Sequence, residues 1–307
     1  MGALAKTNEP DLGLWPGWAL FRPPSWSSDR TSVAANTARD IVREVLTAVT
    51  GLATLGPPAG VVWRGQARTD WRVDSGLGRA VPDGAAMADW EQHERAMLDQ
   101  ARRVGADNAQ HQGDLELLAR LRHHGAATRL IDFTQDPMVA LWFACTDDDY
   151  PETDDHDGVL AVLDRGSVEE LRDPWKFRYD NIGDGGETVH LATLTGLDPR
   201  ITAQRGLFVF AARPRSADEC ALAEIAHEKH PKWRHSTLER VCSPSSWAGL
   251  RGQPPKNFPD LMGIVVPAVV KPTLRDILRR TYGFTRTTMY PDFPGLALSF
   301  KGYRPSS

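Results

Sequence analysis

Cysteine is scarce in this chain, because its 307 residues include only Cys145, Cys220 and Cys242. An odd number of widely spaced thiols provides neither a disulfide framework nor the paired spacing of a cysteine-rich zinc site. No run of about 18 apolar residues that could span a membrane is present, and the N-terminus lacks the charged and apolar regions of a signal peptide. We therefore expect a protein of the reducing cytoplasm with no membrane partner.

An excess of basic residues is also missing, since 36 Lys and Arg stand against 40 Asp and Glu for a formal net charge of -4. We therefore expect no generally basic surface that binds a nucleic-acid duplex, but the net charge does not exclude a local basic groove. The Gly-x-Ser-x-Gly elbow, the P-loop and the Gly-x-Gly-x-x-Gly fingerprint are absent too. The commonest hydrolase, NTPase and Rossmann interpretations therefore have no motif support.

Residues 1–36 are rich in Trp and Pro without a regular period, which predicts an irregular N-terminal arm, and residues 37–307 are predicted to form a single domain. Apolar residues recur at three and four positions between 37 and 55 and predict an amphipathic helix. Further helices are predicted over 86–104, 113–123, 137–144, 217–230 and 274–282. Strands are predicted over 61–64, 128–133, 158–163, 206–212 and 261–270.

The first candidate for chemistry is the dipeptide Arg64-Gly65, which follows the apolar run 61–63. Arg64 could anchor a diphosphate through charge-assisted hydrogen bonds. Gly65, which has no side chain, would let a ligand ring approach and bond its main chain. The structural alternative, an Arg in a salt bridge beside a turn Gly, explains the same two residues.

Two adjacent imidazoles, His123 and His124, precede Gly125 at a predicted helix end, where the helix dipole favours an imidazolium. Neither has partners at metal-ligand spacing, and we expect no metal. The pair could instead serve as acid and base in cleaving a phosphodiester, although the acidic composition counts against a nucleic-acid substrate.

Arg129, Asp132 and Thr134 lie on the predicted strand that leads to the helix at 137–144. Arg129 and Asp132 could take part in buried ion pairs that hold this segment to its neighbours. In the functional interpretation, Asp132 and Thr134 line a cleft and Arg129 meets a phosphate, with the helix as the wall.

These segments resemble the FRG-domain family. Residues 63–66, Trp-Arg-Gly-Gln, resemble its FRGQ signature, and residues 123–134 with 140–144 resemble its QHxGxPTRLLDWT segment and ALxFA helix. Arg122 stands where the family usually has Gln, and Ala127 where it has Pro. The similarity continues through 203–208 and 289–297, so it runs from about residue 61 to about 300.

A more distant similarity is to ADP-ribosyltransferases, in which a strand ends in Arg-Gly or His-Gly and that Gly binds nicotinamide. Arg64-Gly65 and the later Phe133-Thr134 occur in the same order as that strand and the enzymes' Ser-Thr-Ser strand. Those enzymes then place a catalytic Glu where this chain has Gly206, after Gln204. Since an oxocarbenium-like transition state needs a carboxylate, Asp132 or Asp292 would have to supply it.

The resemblance implies an α+β (mixed α/β) fold with a central, mostly antiparallel sheet and flanking helices, similar to that of ADP-ribosyltransferases. It implies NAD as a substrate for ADP-ribosyl transfer or glycohydrolysis, with a protein or nucleic-acid acceptor, in a bacterial toxin or phage-defence setting. The alternative is a non-catalytic module that recognises a nucleotide, a nucleic acid or a protein. The residues assigned to NAD binding are Arg64, Gly65, Gln66, His123, Arg129 and Thr134, and those assigned to catalysis are Arg64, Asp132, Gln204 and Asp292.

Overall fold

A computed structural model describes residues 19–26, 35–71, 73, 75–80, 87–105, 113–146, 154–178, 189–211 and 261–292. Within these residues, eight strands form one sheet. The strands are β1 (Ala19–Phe21), β2 (Val61–Gln66), β3 (Ile131–Thr134), β4 (Gly158–Asp164), β5 (Glu169–Glu170), β6 (Val189–Ala192), β7 (Gly206–Ala211) and β8 (Leu261–Val266). The helices are α1 (Ala35–Leu55), α2 (Gly76–Ala80), α3 (Met87–Val104), α4 (Asp114–His123), α5 (Pro137–Cys145), α6 (Pro199–Ala203), α7 (Lys271–Tyr282) and α8 (Arg286–Met289).

The strand order is β1-β8-β4-β2-β3-β7-β6-β5. The outermost pairs, β1 with β8 and β5 with β6, are parallel, and the inner pairs are antiparallel. The expected α+β fold with a mostly antiparallel sheet is therefore confirmed. Its likeness to ADP-ribosyltransferases stays a prediction.

The central strands are buried on both faces, as their continuous apolar sequences require. Every residue of β8 is buried, and so is every residue of β4 except Asp164. On one face, Trp63, Leu160 and Ile264 pack under α1, α5 and α7. On the other face, Val159 and its strand neighbours form a second apolar cluster. Strands that are covered on both faces have continuously apolar sequences, whereas strands with one exposed face alternate apolar and polar residues.

Helix α5 begins where the sequence predicted. Asp136 is its N-cap, with a side chain that accepts a hydrogen bond from the Met138 backbone N–H at 2.9 Å, and Pro137 occupies the first helical position. The helix then lies so close to the sheet that two glycines are required under it. A Cβ at Gly65 would lie 1.8 Å from the Ala140 carbonyl oxygen, and one at Gly158 would lie 2.3 Å from that of Ala144.

Most long elements agree with the sequence predictions, and the differences are short. The predicted strand at 128–133 begins at Ile131, and the one at 261–270 ends at Val266, before Pro267 and a 3-10 turn. The predicted irregular arm contains strand β1, and strands β5 and β6 and helices α2, α6 and α8 were not predicted. The predicted helix at 217–230 lies outside the described residues, and the division into an arm and one domain stays a prediction. Among the described helices, none has the length and apolar character needed to cross a membrane.

Candidate functional site

A cavity of about 430 Å³ opens where strands β2 and β3 part. The ladder between these two strands is a single pair, Trp63 with Thr134, whereas β2 pairs with β4 along six residues. This volume lies in the range of about 300–1,000 Å³ that is usual for small-molecule sites. The described residues that line it are Trp63, Arg64, Gly65, Ala119, Arg122, His123, Gly125, Asp132, Phe133, Thr134, Phe143, Arg200, Ile201, Gln204 and Phe208.

Arg64 bridges the gap between the two strands as well as lining the cavity. Its Nη1 donates a hydrogen bond of 2.7 Å to the backbone carbonyl oxygen of Asp132 on β3. The predicted strand-end Arg is therefore at the cavity, and its guanidinium is held in place by a contact with the main chain. A preoriented guanidinium loses less freedom when it meets a phosphate.

Gly65 lines the cavity, but α5 is the reason that this position must be glycine. Its missing side chain makes room for the backbone of Ala140 and Ala144. The expectation that the absent side chain admits a ligand ring is therefore corrected, because that space is filled by a helix. A bond between a ligand and the Gly65 main chain stays a prediction.

Asp132 is the carboxylate among the described residues that line the cavity. Its Oδ2 accepts a hydrogen bond of 2.9 Å from Arg122 Nη2, and about half of its side chain is exposed. Arg122, where the family usually has Gln, was not assigned a role from the sequence. The structure brings it to the cavity with its guanidinium beside the candidate catalytic carboxylate.

Thr134 and Gln204 both line the cavity and also hold the neighbouring segments together. Thr134 Oγ1 donates to the Gln204 carbonyl oxygen at 2.6 Å and accepts from the Asp136 backbone N–H at 3.0 Å. Gln204 Nε2 donates to the carbonyl oxygen of Met289, the last residue of α8, at 2.9 Å. Gln204 therefore fixes α8 against the end of α6.

We expect Gln204→Glu to destabilise the fold rather than simply to add a carboxylate to the cavity. The new carboxylate would face the Met289 carbonyl oxygen, which now accepts a hydrogen bond, so two acceptors would oppose each other. The expected loss is about 1–3 kcal/mol of unfolding free energy, measured by urea denaturation. Gln204→Leu, which removes the bond without adding charge, is the control and should lose less. A Glu variant as stable as the parent would contradict this account.

Three predicted site residues lie outside the cavity lining. Gln66 is buried and donates to the Trp71 carbonyl oxygen at 3.2 Å. Arg129 is 5% exposed and forms a buried ion pair with Glu94 of α3, so its assignment to a phosphate in this cavity is corrected. The buried ion-pair interpretation therefore holds for Arg129, whereas Asp132 pairs with Arg122 but is about half exposed. Asp292 lies beside His123.

His123, the last residue of α4, lines the cavity with a side chain that is 8% exposed. Its Nε2 lies 3.5 Å from Asp198 Oδ2 and 3.4 Å from Asp292 Oδ2. The pKa of His123 is lowered below its usual value, chiefly by burial and further by the Arg200 and His124 side chains, although the Asp198 and Asp292 carboxylates act in the opposite direction. The imidazole is therefore mainly neutral at pH 7, and the imidazolium expected at this helix end is not favoured.

Positive charge dominates the cavity wall. Among the described residues that line it, Arg64, Arg122 and Arg200 carry positive charge, and Asp132 is the one carboxylate. Arg200 was not singled out from the sequence, and it lies with its guanidinium carbon 4.2 Å from the centre of the Tyr290 ring. Phe143, half-buried on α5, adds an aromatic surface to the same wall. The arrangement suits an anion that carries a ring.

Fold and site together define an α+β protein with a cationic cavity at a break in its sheet. Residues 59–153 match the family model described as the FRG domain, which confirms the resemblance over this part of the chain. The match includes Arg64, Gly65, His123 and Asp132 and stops before Gln204. No curated protein and no solved structure matches the chain.

Proposed function

We propose that the cavity binds a nucleotide with a diphosphate, NAD in particular, and that the protein acts as an ADP-ribosyltransferase or NAD glycohydrolase. The observation that carries the proposal is the convergence of Arg64, Arg122 and Arg200 on one cavity of ligand size. Three elements distant in sequence, β2, α4 and α6, supply these guanidinium groups.

Charge supports a diphosphate as the anchor of this ligand. The three guanidinium groups exceed the single carboxylate of the lining by two charges, and the diphosphate of NAD carries two negative charges at neutral pH. Guanidinium groups bind phosphate oxygens through paired, charge-assisted hydrogen bonds. Because His123 is mainly neutral, it would act as a hydrogen-bonding group rather than as a further cation.

The aromatic side of the cavity supports a planar ring next to the diphosphate. Phe143 has a partly exposed ring, whereas Trp63, Phe133 and Phe208 are each less than 4% exposed. Phe143 is also fixed edge-to-face against Tyr290, with ring centroids 6.3 Å apart. A ring held in this way offers a rigid surface for nicotinamide or adenine.

Asp132 is the group proposed to stabilise the reacting ribose. In NAD cleavage the bond between ribose C1′ and the nicotinamide nitrogen breaks, and nicotinamide leaves with the electron pair. Water or an acceptor nucleophile then forms the new bond to C1′ and releases a proton. A carboxylate beside C1′ stabilises the positive charge that develops on the ribose, and Asp132 is the described lining residue with that charge.

The FRG resemblance extends the proposal to a bacterial toxin or phage-defence role, with a protein or nucleic acid as the acceptor of ADP-ribose. A second function, a non-catalytic nucleotide sensor, is favoured by one specific observation. The Asp132 carboxylate already accepts a hydrogen bond from Arg122 at 2.9 Å, which offsets the charge that catalysis would use. A sensor would use the same cavity for recognition without cleaving its ligand.

The test separates binding from cleavage with the Asp132→Asn variant. Purified protein would be titrated with NAD by calorimetry, and nicotinamide release would be followed with and without cell extract as a source of acceptors. Asp132→Asn is expected to retain NAD binding, because the cavity loses a negative charge. Cleavage is expected to fall by about 100-fold, the scale for loss of one electrostatic group at a transition state.

Asp173→Asn serves as the matched control, because Asp173 is a surface carboxylate paired with Lys176 outside the cavity lining. This variant should bind and cleave NAD like the parent. Binding without release in the parent would favour the sensor. If the folded protein does not bind NAD, both the proposed NAD-cleaving enzyme and a sensor of NAD are refuted.

A further inference from the structure

We propose that His123, Asp198 and Asp292 form a binding site for a divalent metal ion, with Zn²⁺ as the preferred ion. Each residue offers one ligand atom, and these atoms all lie within 4.8 Å of one another. His123 belongs to both the cluster and the cavity wall, but the metal proposal does not depend on NAD binding and is tested without a nucleotide.

The fold brings the three residues together from separate elements. His123 ends α4, Asp198 is the N-cap of α6, and Asp292 follows α8. They are separated in sequence by 75 and 94 residues, so no short spacing motif could reveal them. This is why the sequence predicted no metal.

The distances fit coordination better than direct hydrogen bonding. His123 Nε2 lies 3.5 Å from Asp198 Oδ2 and 3.4 Å from Asp292 Oδ2, whereas an N–H···O hydrogen bond usually spans about 2.7–3.2 Å. Zinc binds His nitrogen and carboxylate oxygen at about 2.0–2.2 Å, so neighbouring ligands of a tetrahedral ion are roughly 3.4 Å apart. The two distances from His123 Nε2 to the carboxylate oxygens match this separation between neighbouring ligands.

The imidazole of His123 is shielded from solvent and lies next to both carboxylates. Its side chain is more than nine-tenths buried, and Nε2 is the atom that approaches one oxygen of each Asp. An imidazole nitrogen and two carboxylates held this close together in a partly buried place would be stabilised by a shared cation.

Asp198 is already oriented for this role. Its Oδ1 accepts a hydrogen bond of 2.7 Å from the Arg200 backbone N–H as part of the α6 cap, while Oδ2 faces His123. Hydrogen bonds of this kind fix the direction of a ligating carboxylate. One imidazole and two carboxylates are also a donor set that suits zinc and leaves a fourth coordination position for water or an anion.

The experiment measures metal binding in the absence of any nucleotide. The full chain would be stripped with a chelator and titrated with Zn²⁺ by calorimetry, together with the Asp198→Asn and Asp292→Asn variants. Asn keeps the capping oxygen at position 198 and the side-chain shape at both positions. We expect one strong Zn²⁺ site in the parent and a loss of affinity of at least about 10-fold in each variant, the lower end for changes at zinc sites.

His93→Ala is the control, because His93 is an exposed imidazole on α3 outside the cluster. It should bind Zn²⁺ like the parent. Melting curves without metal would show that the Asn variants are folded, and Zn²⁺ should raise the melting temperature of the parent and the control but not of the variants. Equal Zn²⁺ affinity in the parent and both Asn variants, or no binding by the folded parent, would overturn the proposal.

Discussion

Gly65→Ala is expected to destabilise the protein by at least about 3 kcal/mol, at the upper end of the cost of overpacking a core. The added Cβ would lie 1.8 Å from the Ala140 carbonyl oxygen and 2.7 Å from the Ala144 backbone nitrogen. Both are main-chain atoms of α5, so no side-chain rotation can relieve the overlap. Either the helix must move away from β2 or the central strand must bend.

Urea denaturation of Gly65→Ala beside Gly76→Ala would measure this effect. A Cβ at Gly76 has its nearest neighbour at 3.4 Å, the end of the Arg122 side chain, so this control should lose far less stability. Similar stability of the two variants would show that α5 does not require glycine at position 65. If Gly65→Ala is destabilised as expected, a loss of activity in that variant would be no evidence for a bond between NAD and this residue, because the fold itself is damaged.

Glu94→Leu is expected to cost about 3–5 kcal/mol, because it would leave a buried guanidinium without its carboxylate. Glu94 is fully buried, and Arg129 is 5% exposed. One Glu94 oxygen accepts from the Arg129 backbone N–H at 2.7 Å, and the other accepts from Arg129 Nε. Removing Glu94 would release α3 from the segment that leads into β3.

The matched control for Glu94→Leu is Glu91→Leu on the same helix. Glu91 pairs with Arg95 at the surface, and an exposed ion pair contributes less than about 1 kcal/mol. The double variant Glu94→Leu with Arg129→Met should recover part of the lost stability, because it removes the buried charge together with the carboxylate that paired with it. A Glu94→Leu protein no less stable than Glu91→Leu would refute the structural role.

The long elements of the fold could be predicted because their apolar periods carry the signal. Helices α1, α3, α4 and α7 and the buried runs of β2, β4, β7 and β8 each contain several residues that share one face or one core. Strands β1 and β5 contain three and two residues. Such short pieces exist because a neighbouring strand offers hydrogen bonds, and nothing within them shows that neighbour.

Residues of the candidate site could be predicted when the neighbouring sequence was enough to identify them. Arg64 and Asp132 were identified from local patterns and Gln204 from the family resemblance, and all three line one cavity. Arg129 was assigned to a phosphate because its partner Glu94 lies on another helix, 35 positions away. Arg200 was missed because only the packing of α6 brings it to the cavity. The roles of Arg129 and Arg200 depend on contacts between elements that are far apart in the sequence, and a single sequence gives no sign of such contacts.

The single backbone pair between β2 and β3 divides the sheet into two ribbons of four strands, β1-β8-β4-β2 and β3-β7-β6-β5. Next to that pair, the Arg64 guanidinium on β2 donates a hydrogen bond to β3 and so links the two ribbons. The cavity lies at the same junction, so a ligand that contacts residues of both ribbons would add a second link between them. We therefore expect the sheet to become more rigid when a ligand that contacts both ribbons is bound.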